Sequence, residues 1–383
     1  MMHSVIVEMR PRLQVCNVFI VAKECLDQKE SVKINIKTSG VEVKWLSGTC
    51  EMVQVINLHD YKLKPLSLST LQVQKNSVSF RIHTEPVVNI LGSFASEILL
   101  FDQSSSMTES RSTEKLTPYI CTDRPCQLAC KCCGEVMSKQ DILFTRVLPL
   151  PSSVSVEVND WFCHQHSDSS NMQHSILAPK ETDCFYDICL ILLSASLLNT
   201  RNGQVVRCKR CMAWLGTCVS SSAVKLWNCT ISYEGKINSS ALEDFMHTVK
   251  EAFKNSFGMM CRLVLETRFS EKDSQYLLLW AMDKNLDLLV SINEDDFSCV
   301  KDGVGKVIVE CKLKVKKTMK LLYMYHKDCD SVVKTWQNDY NVQCIEIAKQ
   351  MFTEGLEYLV RGTQFIPAPY KLTNSFFVTY LGL

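Results

Sequence analysis

Through the first hundred residues, apolar and polar side chains alternate with a period of two. Val32-Lys33-Ile34-Asn35-Ile36, Val41-Glu42-Val43-Lys44-Trp45, Leu66-Ser67-Leu68 and Val78-Ser79-Phe80-Arg81-Ile82 each place their apolar residues on one face of an extended chain. Turn residues such as Ser39-Gly40 and Ser47-Gly48 separate them, so the region is expected to form an antiparallel sheet, sandwich or barrel. Nothing in it suggests catalysis, and it reads as a scaffold.

From Asp102 to Thr117 the alternation gives way to a Ser/Thr-rich polar stretch, expected to be a linker or loop. A cysteine-dense region follows, from Cys121 to about Cys218. Within it the apolar run 188–198 is expected to be a buried helix. Beyond it, Val224-Lys225-Leu226-Trp227 looks like a strand. Ser240-Ala241-Leu242-Glu243 is a capping box opening a helix whose apolar face is Leu242, Phe245, Met246, Val249 and Phe253. Strands are expected over 261–269, 276–282, 286–292 and 306–316, a helix over 343–360 and a strand over 376–381. Apart from two cysteine pairs, there is no internal repeat.

Composition narrows the classes. The 383 residues are 46% apolar and 22% charged, which excludes wholesale disorder. With 42 Lys+Arg against 41 Asp+Glu, the net charge of +1 offers no field for nucleic acid or an acidic membrane, so neither is expected as a partner. No apolar run is long enough to span a bilayer, and no signal-peptide pattern opens the chain. The 20 cysteines are therefore read as reduced thiols of a cytoplasmic, or also nuclear, protein: many of them small buried hydrophobes, a subset metal ligands.

Two cysteine pairs have knuckle spacing: Cys130-Lys131-Cys132-Cys133-Gly134 and Cys208-Lys209-Arg210-Cys211. Two residues between thiolates let one tight turn present both sulfurs to one tetrahedral ion. Gly134 is free to take a positive φ, and the basic residues favour deprotonation. The pairs fit a closed structural zinc site of Cys130, Cys133, Cys208 and Cys211; buried thiols and redox pairs are the alternatives. The second pair continues as Met212-Ala213-Trp214-Leu215-Gly216, and a knuckle followed by Leu-Gly resembles the β-tent folds. Between the pairs, Trp161-Phe162-Cys163-His164-Gln165-His166 could ligate a metal, pair a nucleophile with a base, or simply form a loop.

Arg146-Val147-Leu148-Pro149-Leu150-Pro151-Ser152, Trp161-Phe162-Cys163-His164, Asp183-Cys184-Phe185 and Cys208-Lys209-Arg210-Cys211, in that order, resemble the HECT-like ubiquitin ligases that bind a ubiquitin-conjugating enzyme. The resemblance implies an α+β, β-rich chain: an antiparallel β domain over 1–101, a linker over 102–120, a β-tent-like zinc domain over 121–220 and an α/β, HECT-like domain over 221–383. It implies a ubiquitin-protein transferase that accepts ubiquitin from the conjugating enzyme and passes it to substrate lysines, cyclin-type substrates among them, for proteasomal degradation. The thioester cysteine it implies is Cys344, at the start of the 343–360 helix, without the usual Leu-Pro and Thr context; the other reading of Cys344 is a core thiol. Contact with the conjugating enzyme is implied over 224–247, through Trp227, Leu242 and Phe245.

The same resemblance implies a second, non-catalytic role. Members are similar to inhibitors of the zinc endonuclease subunit that cleaves pre-mRNA in 3′-end processing. Trp161, Cys163 and His164 would enter that active site and Cys163 would coordinate its metal, although Phe162 stands where the family pattern has a further cysteine. Three functions therefore remain open on the sequence: a ligase, an inhibitory module and a β-tent adaptor.

Overall fold

The protein is described by a computed structural model. It describes residues 2–22, 32–47, 50–85, 120–150, 179–187, 189–202, 205–233, 236–237, 239–254, 261–268, 273–302 and 306–383. The chain is β-rich and divides into two compact units.

The first unit comprises Met1–Phe94, Ala281–Tyr323 and Leu359–Leu383. Its larger sheet joins strand Met2–Arg10 to Val15–Ala22 and, on the other edge, to the end of strand Ser274–Ser291. Ser77–His83 and Ser69–Gln74 extend it one way, and Lys314–His326 and Phe376–Gly382 the other. The second sheet runs Phe297–Asp302, Lys306–Cys311, Cys50–Asn57, Gly40–Ser47, Lys33–Lys37. One of its pairings, Cys50–Asn57 with Lys306–Cys311, is parallel. The alternation explains the layering: Val5, Val7 and Met9 of one sheet meet Val41, Val43, Trp45 and Val309 of the other in a single buried cluster.

Four local expectations are corrected here. Leu66-Ser67-Leu68 is no strand: Leu66 lies fully exposed in a turn after Pro65, and the strand begins at Ser69. The two strands expected at 276–282 and 286–292 are one, Ser274–Ser291, because the polar run Asp283-Lys284-Asn285 stays extended. The strand expected at 306–316 is two, in different sheets. The break falls at Lys312, whose N–H donates to Asp296 O at 2.8 Å and whose carbonyl accepts from Ser291 Oγ at 2.6 Å. The run 188–198 is no helix but strand Leu190–Ser194 and a 3-10 turn; the strand is buried on both faces, which removes the alternation that would mark it.

The second unit comprises Ala95–Trp280 and Met324–Tyr358. A seven-stranded sheet runs Arg146–Pro149, Asp183–Tyr186, Leu190–Ser194, Ala223–Trp227, Trp214–Cys218, Val205–Arg207, Arg201–Asn202. A small sheet pairs Leu128–Cys130 with Ile231–Tyr233. Helix α1 (Ala241–Lys254) starts at the expected capping box: Glu243 N–H donates to Ser240 Oγ at 3.1 Å and Ser240 N–H to Glu243 Oε2 at 3.1 Å. Helix α2 spans Ser331–Gln337, and helix α3 (Lys349–Gln364) presents Gly355 to the Phe245 ring of α1, where a Cβ would come within 2.3 Å. No helix among the described residues is long and apolar enough to cross a membrane.

Candidate metal centre

The two knuckles are one loop built twice. After Cys130, Gly134 N–H donates back to Cys130 O at 2.8 Å, and Cys130 N–H donates forward to Glu135 O at 2.8 Å. After Cys208, Met212 N–H donates to Cys208 O at 3.1 Å, and Cys208 N–H to Ala213 O at 2.9 Å. Closing that loop requires a left-handed residue just past the second cysteine. Gly134 supplies it at φ 72°, as its sequence predicts, and Met212 supplies it at φ 63°. Spacing alone did not single out Met212; aligning the two pairs would have done so.

The surrounding strands bring the loops together. Cys130 ends strand Leu128–Cys130, opposite Ile231. Lys131 N–H reaches Thr230 O at 3.0 Å, and Thr230 Oγ1 donates to Leu215 O at 2.9 Å and Trp227 O at 2.8 Å. Cys208 follows Val205–Arg207, which pairs with Trp214–Cys218. Gly216 in that strand lies against its neighbour so closely that a Cβ would meet Lys225 O at 1.8 Å, so the Leu-Gly step is steric in origin.

The four ligand sulfurs all lie within 4.8 Å of one another. Cys130 Sγ is 3.7 Å from Cys211 Sγ, and Cys133 Sγ is 3.7 Å from Cys208 Sγ. Sulfurs bound tetrahedrally at about 2.3 Å from one ion sit about 3.8 Å apart, whereas a disulfide needs about 2 Å. The two close pairs each join one knuckle to the other, so the four thiols could hold one metal ion. Cys130 and Cys208 are buried, Cys133 and Cys211 half-buried. Burial pushes the Cys130 thiol up to about 12, against the N–H groups of Cys133 and Cys132. Without a cation that thiol keeps its proton at neutral pH; a bound cation would displace it.

The basic residues of the knuckles also hold partners of their own. Lys131 Nζ donates to Ser239 O at 3.1 Å, Lys209 Nζ to Asn199 Oδ1, and Arg210 lies 4.0 Å from Glu135. At Cys130 the backbone amides of Cys133 and Cys132 favour the thiolate. Cys132, one of four further cysteines (with Cys121, Cys126 and Cys184) that the sequence offers as extra ligands without choosing among them, is exposed, and its hydrogen bond to Cys211 raises its pKa.

Other expected residues are scattered. Trp161, Cys163 and His164 fall outside the described residues. Cys344 does not open a helix: it lies exposed in strand Val342–Glu346, where it sits opposite Val264 in a parallel pairing and where Val342 and Ile345 are buried. Among the described residues that strand pairs on one side only. His326, the histidine nearest Cys344 in sequence, has its Nδ1 2.6 Å from Asp330 Oδ2. Trp227 is 2% exposed and Phe245 fully buried, so both belong to the core; Leu242 is half-buried and remains accessible to a partner.

Two of the motifs that carried the resemblance prove to be strand neighbours. Arg146-Val147-Leu148-Pro149 runs parallel to Asp183-Cys184-Phe185-Tyr186, with Arg146 forked onto the buried Asp183 carboxylate. Residues 8–378 match the HECT-like ubiquitin-conjugating enzyme (E2)-binding family. The chain belongs to that family.

Curated relatives of this HECT-like family agree. An E3 ubiquitin-protein ligase of Homo sapiens is 24% identical over 414 residues, covering 98% of this chain and 97% of its own. The Rattus norvegicus protein of the same name is 28% identical, over 66% of this chain and 69% of its own length. The Mus musculus protein is 27% identical, over 67% and 71%. No solved structure matches the chain. Membership places this HECT-like chain in the ubiquitin pathway and implies a ubiquitin-conjugating enzyme as its partner.

Proposed function

We propose that this chain is a ubiquitin-protein ligase that receives ubiquitin from a conjugating enzyme and delivers it to substrate lysines. The observation that carries the reading is the match of nearly the whole chain to a conjugating-enzyme-binding family whose curated relatives bear the name E3 ubiquitin-protein ligase. Cys130, Cys133, Cys208 and Cys211 hold a structural zinc in this reading; four thiolates leave no open position, so the ion organises the fold. The conjugating enzyme docks along 224–247, meeting Leu242 and its exposed neighbours on α1 rather than Trp227 or Phe245.

Cys344 is the acceptor thiol. Its thiolate attacks the thioester carbonyl of the charged conjugating enzyme, expelling that enzyme's cysteine thiolate, which takes up a proton. A substrate lysine amine then attacks the Cys344 thioester, forming an isopeptide bond and releasing the Cys344 thiol. Exposure on a strand that, among the described residues, pairs on one side only supports access for so large a group as ubiquitin. The deciding experiment mixes charged conjugating enzyme with the zinc-loaded chain and looks for a ubiquitin adduct that reducing agent removes. Its loss in Cys344→Ser supports this mechanism; an unchanged adduct in that variant moves the thioester to another cysteine. A chain that binds the charged enzyme yet forms no adduct acts as a docking ligase or not at all.

A second reading draws on Trp161-Phe162-Cys163-His164, which supplies a thiol and an imidazole beside an aromatic anchor. In that reading the segment enters the zinc active site of the pre-mRNA 3′-end endonuclease. Cys163→Ser should then abolish inhibition of the endonuclease while leaving the chain's own zinc content unchanged.

A further inference from the structure

The metal centre contains one more thiol than a tetrahedral ion can use. Cys130 Sγ stands 3.7 Å from Cys211 Sγ, and Cys133 Sγ 3.7 Å from Cys208 Sγ. Cys132 sits between the two ligands of its own loop, and its side chain is hydrogen-bonded across to Cys211 of the other loop. It is exposed, whereas Cys130 and Cys208 are buried and Cys133 and Cys211 half-buried. The thiol left over is thus the one that solvent reaches first, and it touches a ligand sulfur.

That contact has a chemical consequence. With a cation bound, Cys211 is a thiolate, so Cys132 is the donor in their hydrogen bond and its sulfur is held beside the one it would join. A thiolate is the form that reacts with peroxides, and Cys211 is accessible enough to meet a molecule as small as hydrogen peroxide. A disulfide needs the sulfurs about 2 Å apart, so one loop must close on the other. Gly134, at the outer end of the first loop, borders open space: a Cβ built there meets nothing within 4 Å.

We propose, resting on the four-thiolate metal site but not on the ligase reading, that Cys132 and Cys211 form a peroxide-responsive pair whose oxidation to a disulfide releases the metal ion. The Cys211 thiolate attacks one peroxide oxygen: an S–O bond forms, the O–O bond breaks and hydroxide leaves. That hydroxide takes the Cys132 proton and becomes water. The Cys132 thiolate then attacks the sulfenic sulfur of Cys211, forming the S–S bond and expelling hydroxide. The two sulfurs together give up two electrons, which reduce the peroxide to water and hydroxide. Cys211 then no longer donates a thiolate, and Cys130, Cys133 and Cys208 alone hold the ion far more weakly. Lys131, beside Cys132, carries the change outward: its N–H donates to Thr230 O at 3.0 Å and its Nζ to Ser239 O at 3.1 Å, just before the capping box of α1.

The test treats the zinc-loaded full chain with hydrogen peroxide, reads released zinc with a chromogenic chelator and maps unreduced peptides by mass spectrometry. The parent should begin with about one zinc per chain, release it and show Cys132 linked to Cys211. A thiol reductant with added zinc should reverse both changes. Cys132→Ser should keep its zinc before oxidant is added, because the side chain takes no metal position. It should then release zinc at least about tenfold more slowly and without that linkage. Cys299→Ser, which removes an exposed thiol in strand Phe297–Asp302, should behave as the parent. A reduced chain that holds no zinc would overturn the metal reading and this inference together. Release from Cys132→Ser at the parent rate, a disulfide joining another pair, a loss that reductant and zinc cannot reverse, or zinc missing from Cys132→Ser before oxidation would overturn this inference alone.

Discussion

Gly134→Ala isolates the conformational requirement of the knuckle. The added methyl group meets nothing within 4 Å, so steric clash contributes nothing and the effect lies in the backbone. Holding an L-residue at φ 72° costs about 1–2 kcal/mol. Alanine's smaller freedom in the unfolded chain returns roughly 0.4–1 kcal/mol. The net loss is about 1 kcal/mol, close to fivefold in the folding equilibrium. Met212 is the internal control: it already bears that strain at φ 63°, with its side chain 42% exposed. Met212→Gly relieves the strain but loses partial burial and gains unfolded-state freedom, so it should fall within about 0.5 kcal/mol of the parent. Urea unfolding of the metal-loaded protein, read as a midpoint shift at constant slope, measures both. An unchanged midpoint for Gly134→Ala, or a loss above about 2 kcal/mol for Met212→Gly, would refute the reasoning: the first because φ would not matter, the second because side-chain contacts would dominate.

Gly216→Ala should be far more damaging, unfolding the second unit or costing more than about 3 kcal/mol by chemical denaturation, because its Cβ would overlap Lys225 O at 1.8 Å. Cys208→Ser should lower zinc content below one ion per chain and its affinity by at least about a hundredfold in competition with a chromogenic chelator, since a buried thiolate is replaced by a weak hydroxyl ligand. Asp244, buried in α1, has its pKa raised to about 7 from 3.8 chiefly by burial. Between those values the unfolded chain releases the proton that the folded protein keeps. Stability should therefore fall as pH rises from about 4 to about 7 and level off above, with a ceiling of roughly 4 kcal/mol. Thermal melts of Asp244→Asn should lack that slope and exceed the parent at pH 8; an equal slope in both would remove Asp244 as its source.

Where local physics decides, the chain can be read directly. The alternating strands around Val43 and Phe80 and the Ser240 capping box need only near neighbours. The four cysteines were legible because a metal knuckle encodes its geometry in spacing. Elsewhere the deciding partner is remote. Leu190–Ser194 is apolar on both faces, so nothing in it separates strand from helix until Asp183–Tyr186 and Ala223–Trp227 flank it. Cys344 sits among residues that fit a helical stripe, yet pairing of Val342–Glu346 with Arg262–Arg268 claims them as a strand, and the helix waits until Lys349. Burial of the Glu8 carboxylate was invisible for the same reason: its donors Lys320 and Tyr380 lie more than three hundred residues along the chain.

The assembly of the first unit from distant stretches dictates when it can exist during synthesis. Strand Met2–Arg10 waits for residues 287–291 to cover one edge, Cys50–Asn57 waits for Lys306–Cys311, and Lys314–His326 waits for Phe376–Gly382. At about 5–20 residues per second, the first strands spend on the order of half a minute as open edges on the ribosome. Most of the second unit, drawn from the middle of the chain, emerges in that interval. Fragments cut near residue 95 or 280 would leave those edges permanently open, so truncation mapping would report aggregation where it meant to report binding.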